Sequence, residues 1–148
     1  MKRMKRIFSE VQRERIFKSQ LSLLSQDLKD CSILLKNKSY RSAYIFLFDA
    51  LERVLDIFFI SKGEKPTNRR EREEMIFRYF SPETYRKFRS FYYERRGGMY
   101  EDFFLVSKRD FSQLFKFFVR VLSEVKRRVK VKVDGKIENL LENLKKLV

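Results

Sequence analysis

The chain has no histidine and no tryptophan, and its 148 residues include one cysteine, two prolines and four glycines. Without histidine, the usual neutral-pH acid–base group and the commonest transition-metal ligand are missing. Histidine-dependent zinc sites and serine or cysteine triads are thereby excluded, and neither a metal nor a cofactor is expected. A single cysteine, Cys31, cannot close an intrachain disulfide, which fits a reducing compartment. So few glycines and prolines leave little room for long loops or a many-turned β fold. Long apolar runs are also missing. The most apolar stretch, Tyr44 to Ile60, is interrupted by Asp49, Glu52, Arg53 and Asp56, too many charges for a membrane span. The basic start Met1-Lys2-Arg3-Met4-Lys5-Arg6-Ile7-Phe8 leads into Ser9-Glu10-Val11-Gln12-Arg13 instead of the apolar core of a signal peptide. A cytoplasmic protein with no membrane partner is expected.

What is abundant is aromatic surface and positive charge. Sixteen Phe and seven Tyr each bury a large area, so few helices are needed to close a core. Lys plus Arg number 35 against 20 acidic residues, a net charge of +15, which favours a polyanionic partner such as nucleic acid. The high Lys, Arg and Glu content also hints at a heat-loving source, where charge serves stability.

Apolar residues at Phe17, Leu21, Leu24, Leu28, Cys31 and Leu35 recur in steps of three and four, which predicts a long amphipathic helix from Ser9 to about Lys36. Cys31 falls on its apolar face, as a small core residue. After Asn37-Lys38-Ser39, with Ser39 as cap, a second helix runs to Ser61 and ends at Gly63. It is apolar over most of its girth, as the central member of a bundle should be, with Arg53 and Asp56 read as a solvated edge. Asn68 and Glu71 resemble a capping box for a third helix ending near Phe80. Ser81-Pro82-Glu83 opens a fourth, which Gly97-Gly98 should stop or bend. Ser107 to Asp110 caps a fifth with the stripe Phe111, Phe115, Phe118, Leu122, Val125 and Val129. Val129 to Val133 reads as a frayed end or extended link. Ile137, Leu141, Leu144 and Val148 return to helical spacing, as an apolar tail suited to a second chain. The fold class is all-α: one domain, an antiparallel up-and-down bundle of about five helices with its core at residues 9–129, plus a C-terminal amphipathic helix.

The stretch Tyr92-Tyr93-Glu94-Arg95-Arg96-Gly97-Gly98-Met99-Tyr100-Glu101-Asp102 carries more chemistry than folding needs. Arg95 shares the inward stripe of Tyr85, Phe88, Tyr92 and Met99, and a charge aimed at a core needs a partner or a ligand. Asp49 and Glu52 on the second helix are the candidates to hold it. Arg86, Arg89 and Arg96 read as a solvated face with phosphate contact as the other reading, and so does the basic run Lys126 to Lys132. Tyr93 is placed to stack on a base in a single-stranded site, since Tyr92 belongs to the core stripe. Gly97-Gly98 is not a phosphate loop, because it lacks a strand-turn-helix setting.

The segment Tyr40-Arg41-Ser42-Ala43-Tyr44, Ala50-Leu51-Glu52 within the same helix, the ending Arg95-Arg96-Gly97-Gly98-Met99-Tyr100 and the helix led by Asp110 together resemble the HEPN domain. The likeness is to a prokaryotic branch in which an arginine is followed five positions on by a tyrosine, here Arg95 and Tyr100, and it covers about Ser9 to Val129. It implies a helical homodimer with two such segments facing across a cleft that binds RNA or a nucleotide. It further implies a metal-independent ribonuclease of a toxin–antitoxin pair, whose antitoxin is a small nucleotidyltransferase. The family's usual motif places a histidine after the arginine, and this chain has none.

Cleavage through a 2'-hydroxyl needs a base, an acid for the leaving oxygen and a cation for the phosphorane. Arg95 suits the cation, Tyr100 stands at the motif's second position, and Glu52, Glu101 or Asp102 are candidate bases. Arg96, Tyr93, Asp49 and Asp102 complete the candidate binding set. A non-catalytic interaction module partnering a nucleotidyltransferase through the apolar tail is the alternative, and a general nucleic-acid binder is a third reading.

Overall fold

The computed structural model describes residues 10–100, 105–130 and 135–148, with side chains at 11–93, 105–130 and 135–148. These form α1 (Glu10–Lys36), α2 (Tyr40–Ser61), α3 (Arg69–Tyr79), α4 (Pro82–Tyr100), α5 (Lys108–Val129) and α6 (Gly135–Leu147), with no strand among the described residues. The protein is an all-α helical bundle, and no helix among the described residues is long and apolar enough to cross a membrane.

α1 and α2 form an antiparallel hairpin. Cys31 Sγ donates to the Ala43 carbonyl at 3.4 Å, and further along Asp27 pairs with Arg53 at 2.6 Å, so partners separate in opposite directions from the turn. Both helices end in the same way. At the end of α1, the amides of Lys38 and Ser39 donate to the Leu35 and Leu34 carbonyls at 2.9 and 2.8 Å. At the end of α2, Gly63 and Glu64 do the same to Ile60 and Phe59 at 2.9 and 3.0 Å. This pair of bonds is the Schellman closure, and it puts one residue in the left-handed region, Gly63 at φ 74° and Lys38 at φ 57°. Glycine adopts that conformation without penalty, whereas lysine carries a Cβ into it.

α2 is the centre of the bundle, buried against α1, α4 and α5 through Ala43, Leu47, Phe48, Leu51, Val54, Leu55 and Phe58 among others. Cys31 is fully buried, and burial drives its thiol far above the ordinary range, so it packs as a core residue. On α5 the expected stripe holds, with Phe111, Phe115, Phe118, Leu122 and Val125 buried. The Ser107 side chain accepts from the Asp110 amide at 3.1 Å while Asp110 accepts from the Ser107 amide at 2.8 Å, a complete capping box. Ser81 caps α4 through the Thr84 amide at 3.1 Å. At α3 Asn68 caps the helix as expected, accepting from the Glu71 amide at 2.9 Å, and only the return bond moves: the Glu71 carboxylate takes the amide of Thr67 at 2.9 Å, not that of Asn68.

Five expectations are corrected, some of them in part. Ser39 precedes α2 without a side-chain capping bond. Its amide is already committed to closing α1, and its carbonyl begins α2 by accepting from Ala43 at 3.0 Å. Gly97-Gly98 does not stop α4, which continues through the pair to Tyr100. A helical glycine costs about 1 kcal/mol, less than is needed to break an established helix. Arg53 and Asp56 are not a solvated edge: Arg53 pairs with Asp27 of α1, and Asp56 with Arg72 of α3. Part of the tail's apolar face is used within the chain, while Leu141 and Val148 stay half-buried beside a groove against α5. α6 packs on α1, with Ile137 and Leu144 buried, and burying each stabilises by about 1.5–3 kcal/mol. The basic run at the end of α5 is partly structural. Arg128 donates to the Tyr79 carbonyl at 2.8 Å and to Glu124 at 3.0 Å, with its guanidinium 4.3 Å from the Phe58 ring, and Lys126 pairs with Glu138 at 3.4 Å. The alternating segment after Lys130, residues 131–134, lies outside the described residues.

Candidate nucleic-acid interface

α3 and α4 form a second hairpin whose side chains meet in three rungs about one helical turn apart. Nearest the turn, the Phe77 and Tyr85 rings meet edge to face at 5.2 Å. Next, Glu73 faces Arg89 at 3.7 Å. Farthest out, the Arg69 guanidinium lies 4.8 Å from the Tyr92 ring centroid. Steps of four residues on α3 and of four and three on α4 align these contacts as successive neighbours along one face of each helix.

The outer surface of this hairpin sets flat rings among arginines, with the carboxylates Glu73 and Glu74 between them. Phe77 is 64% exposed and Tyr93 49% exposed, high values for residues that could have been buried. Arg89 touches three groups without a short bond to any: Tyr93 Oη at 3.5 Å, Glu73 at 3.7 Å and the Tyr85 ring at 5.7 Å. Its fork therefore keeps donors for a ligand oxygen. Arg69 is exposed, and its contact with Tyr92 raises its pKa, favouring its charged form still further. Exposed rings beside arginines are the pairing that single-stranded nucleic acid uses, with bases stacking on the rings and phosphates bridged by the forks.

Of the residues expected at the site, Tyr93 has the exposure needed for stacking, while Tyr92 is half-buried against the core with Phe48 at 6.1 Å. Glu52 lies on α2, where Arg72 donates to its carboxylate at 2.8 Å, and Asp49 lies one turn earlier on the same helix, close enough to Asp27 to push that carboxyl upward. Arg95, Arg96 and Tyr100 occupy the last turns of α4, the end towards which the Arg69–Tyr92 rung lies. Their side chains, with Asp102 and Glu101, lie outside the described residues. The expected approach of Asp49 and Glu52 to Arg95 therefore also involves side chains outside them.

Arg69 and Phe77 are the site residues that the periodicity did not single out. Both sit in an eleven-residue helix rich in Arg and Glu, where each looks like an ordinary surface residue. The usable signal was pairwise: the distance of each from the α3–α4 turn matches that of Tyr92 and Tyr85. Among the described residues no group of His, Cys, Asp and Glu is arranged to hold a metal ion. No protein-family model and no curated protein matches this chain.

Proposed function

We propose that this protein is a HEPN-like RNA-binding protein and that single-stranded RNA lies along the α3–α4 face, with Tyr93 stacking on a base and Arg69 and Arg89 on phosphates. The observation that carries the reading is the ring-and-arginine ladder, exposed on a chain of net charge +15. Phe77 and Tyr93 are exposed on the same hairpin as Arg69 and Arg89, which supplies rings and cations on one face. The ladder leads to the end of α4 that bears Arg95 and Tyr100. In this reading Arg95 forks onto the scissile phosphate, Tyr100 and Glu52 are the groups for proton transfer, and Asp49, Arg96 and Asp102 line the cleft. A homodimer brings two such helix ends together.

Binding of labelled single-stranded RNA, followed by fluorescence anisotropy, tests the face. Tyr93→Ala is expected to weaken binding about tenfold, since one base–ring stack contributes about 1–3 kcal/mol. Unchanged affinity for Tyr93→Ala and Arg69→Ala together would remove the proposed surface. Incubation with single-stranded RNA in EDTA tests cleavage: products that disappear in both Arg95→Ala and Tyr100→Phe support a metal-independent nuclease. Absence of products from the unaltered protein leaves a binding protein.

A further inference from the structure

The opposite flank of α4 carries a groove against α5, about 430 Å³ in volume. Its floor is the stacked ring pair Phe91 and Phe117, with centroids 5.3 Å apart and planes 28° from parallel. Lys87 stands on the α4 wall, Lys116 and Arg120 on the α5 wall, and Ser90 and Gln113 add uncharged donors. No carboxylate is among these lining residues. One carboxylate, Glu83, sits beside them and ties the walls together, 3.2 Å from Lys87 and 3.4 Å from Arg120. Both cations depress its pKa, Lys87 the more strongly. Arg120 also lies 5.3 Å from the Phe117 ring centroid, which holds its fork over the groove. Three cations thus line a groove floored by stacked rings, with one carboxylate beside them, an arrangement that attracts an extended anion.

We infer that this groove is a second contact for the same RNA, a phosphodiester track continuing from the α3–α4 face over the back of α4; the inference rests on that face being an RNA site. Arg86, exposed on α4 two turns before Tyr93, lies between the two flanks. The bridge is short, because a helix with its side chains is only about 10–12 Å across. The division of labour follows from chemistry. The α3–α4 face offers exposed rings for bases, whereas the rings of the groove are largely covered, so its cations meet phosphates without reading sequence.

The test uses the full chain and single-stranded RNA of about 4 and about 12 nucleotides, lengths that bracket common single-strand sites. The double variant Lys116→Glu, Arg120→Glu is expected to weaken the longer RNA at least tenfold and to leave the shorter within twofold. The slope of log affinity against log salt should fall by about 1.4, from two lost phosphate contacts. Glu83→Gln releases the two cations it engages and should tighten the longer RNA severalfold, a gain that a damaged fold cannot imitate. Unchanged affinity and slope for the longer RNA in the double variant, with Tyr93→Ala still weakening both lengths, would overturn the track and leave the α3–α4 face standing. Binding of neither length by the unaltered protein would overturn both.

Discussion

Arg72 of α3 forks onto Asp56 of α2, its Nη2 lying 3.2 and 3.1 Å from the two carboxylate oxygens, while its Nη1 reaches Glu52 at 2.8 Å. All three side chains are largely buried, with 17 to 23% of their surface exposed. This contact fixes how the α3–α4 hairpin sits on the bundle, and hence where the ring-and-arginine face points.

Arg72→Ala leaves two carboxylates without that cation. The cost is expected near 3 kcal/mol at neutral pH, the low end for a broken buried pair because these sites retain some water. It should shrink as pH falls and Asp56 takes up a proton. Urea unfolding at several pH values measures both effects, and a cost independent of pH would show that the carboxylates had found other compensation.

Asp27 gives a separate pH signature. Burial raises its pKa, only partly countered by Arg53 at 2.6 Å. A carboxyl whose pKa is raised on folding adds stability that is complete below the ordinary carboxylate range and is lost as pH rises through the folded pKa. The stability of the unaltered protein relative to Asp27→Asn should therefore fall as pH rises from about 3 towards neutrality. A difference that stays flat over that span would contradict the shift.

Lys38 occupies the position in the α1 closure that Gly63 fills in the α2 closure. A left-handed conformation costs a residue with a Cβ roughly 1–2 kcal/mol, partly offset by glycine's larger unfolded-state entropy. Lys38→Gly is expected to raise the melting temperature by about 2–4 °C, the shift that about 1 kcal/mol produces at this chain length. A lower melting temperature would show that the lysine side chain makes up for its backbone.

Helix positions, the capping at Ser81 and Ser107 and the burial of Cys31 were legible in the sequence because each depends on residues close along the chain. So was the choice of Tyr93 over Tyr92 for exposure, since helical phase alone separates them. The Arg69–Tyr92 rung was not legible. An arginine within Arg69-Arg70-Glu71-Arg72 has the same local pattern whether it meets water, a ring or a carboxylate. The motif positions Arg95 and Tyr100 were legible as a pattern, but a pattern gives no distances.

By itself, then, the sequence determined where helices start, which face of each is apolar and that the chain carries a large positive charge, because period, caps and composition are local properties. Only the tertiary structure decided that Arg53 and Arg72 belong to Asp27, Glu52 and Asp56, that α6 covers α1, and that Lys87 faces Lys116 and Arg120 across a groove. Those outcomes depend on which helices become neighbours and in what register. That is fixed by packing the whole set of apolar faces at once, and no single segment carries it.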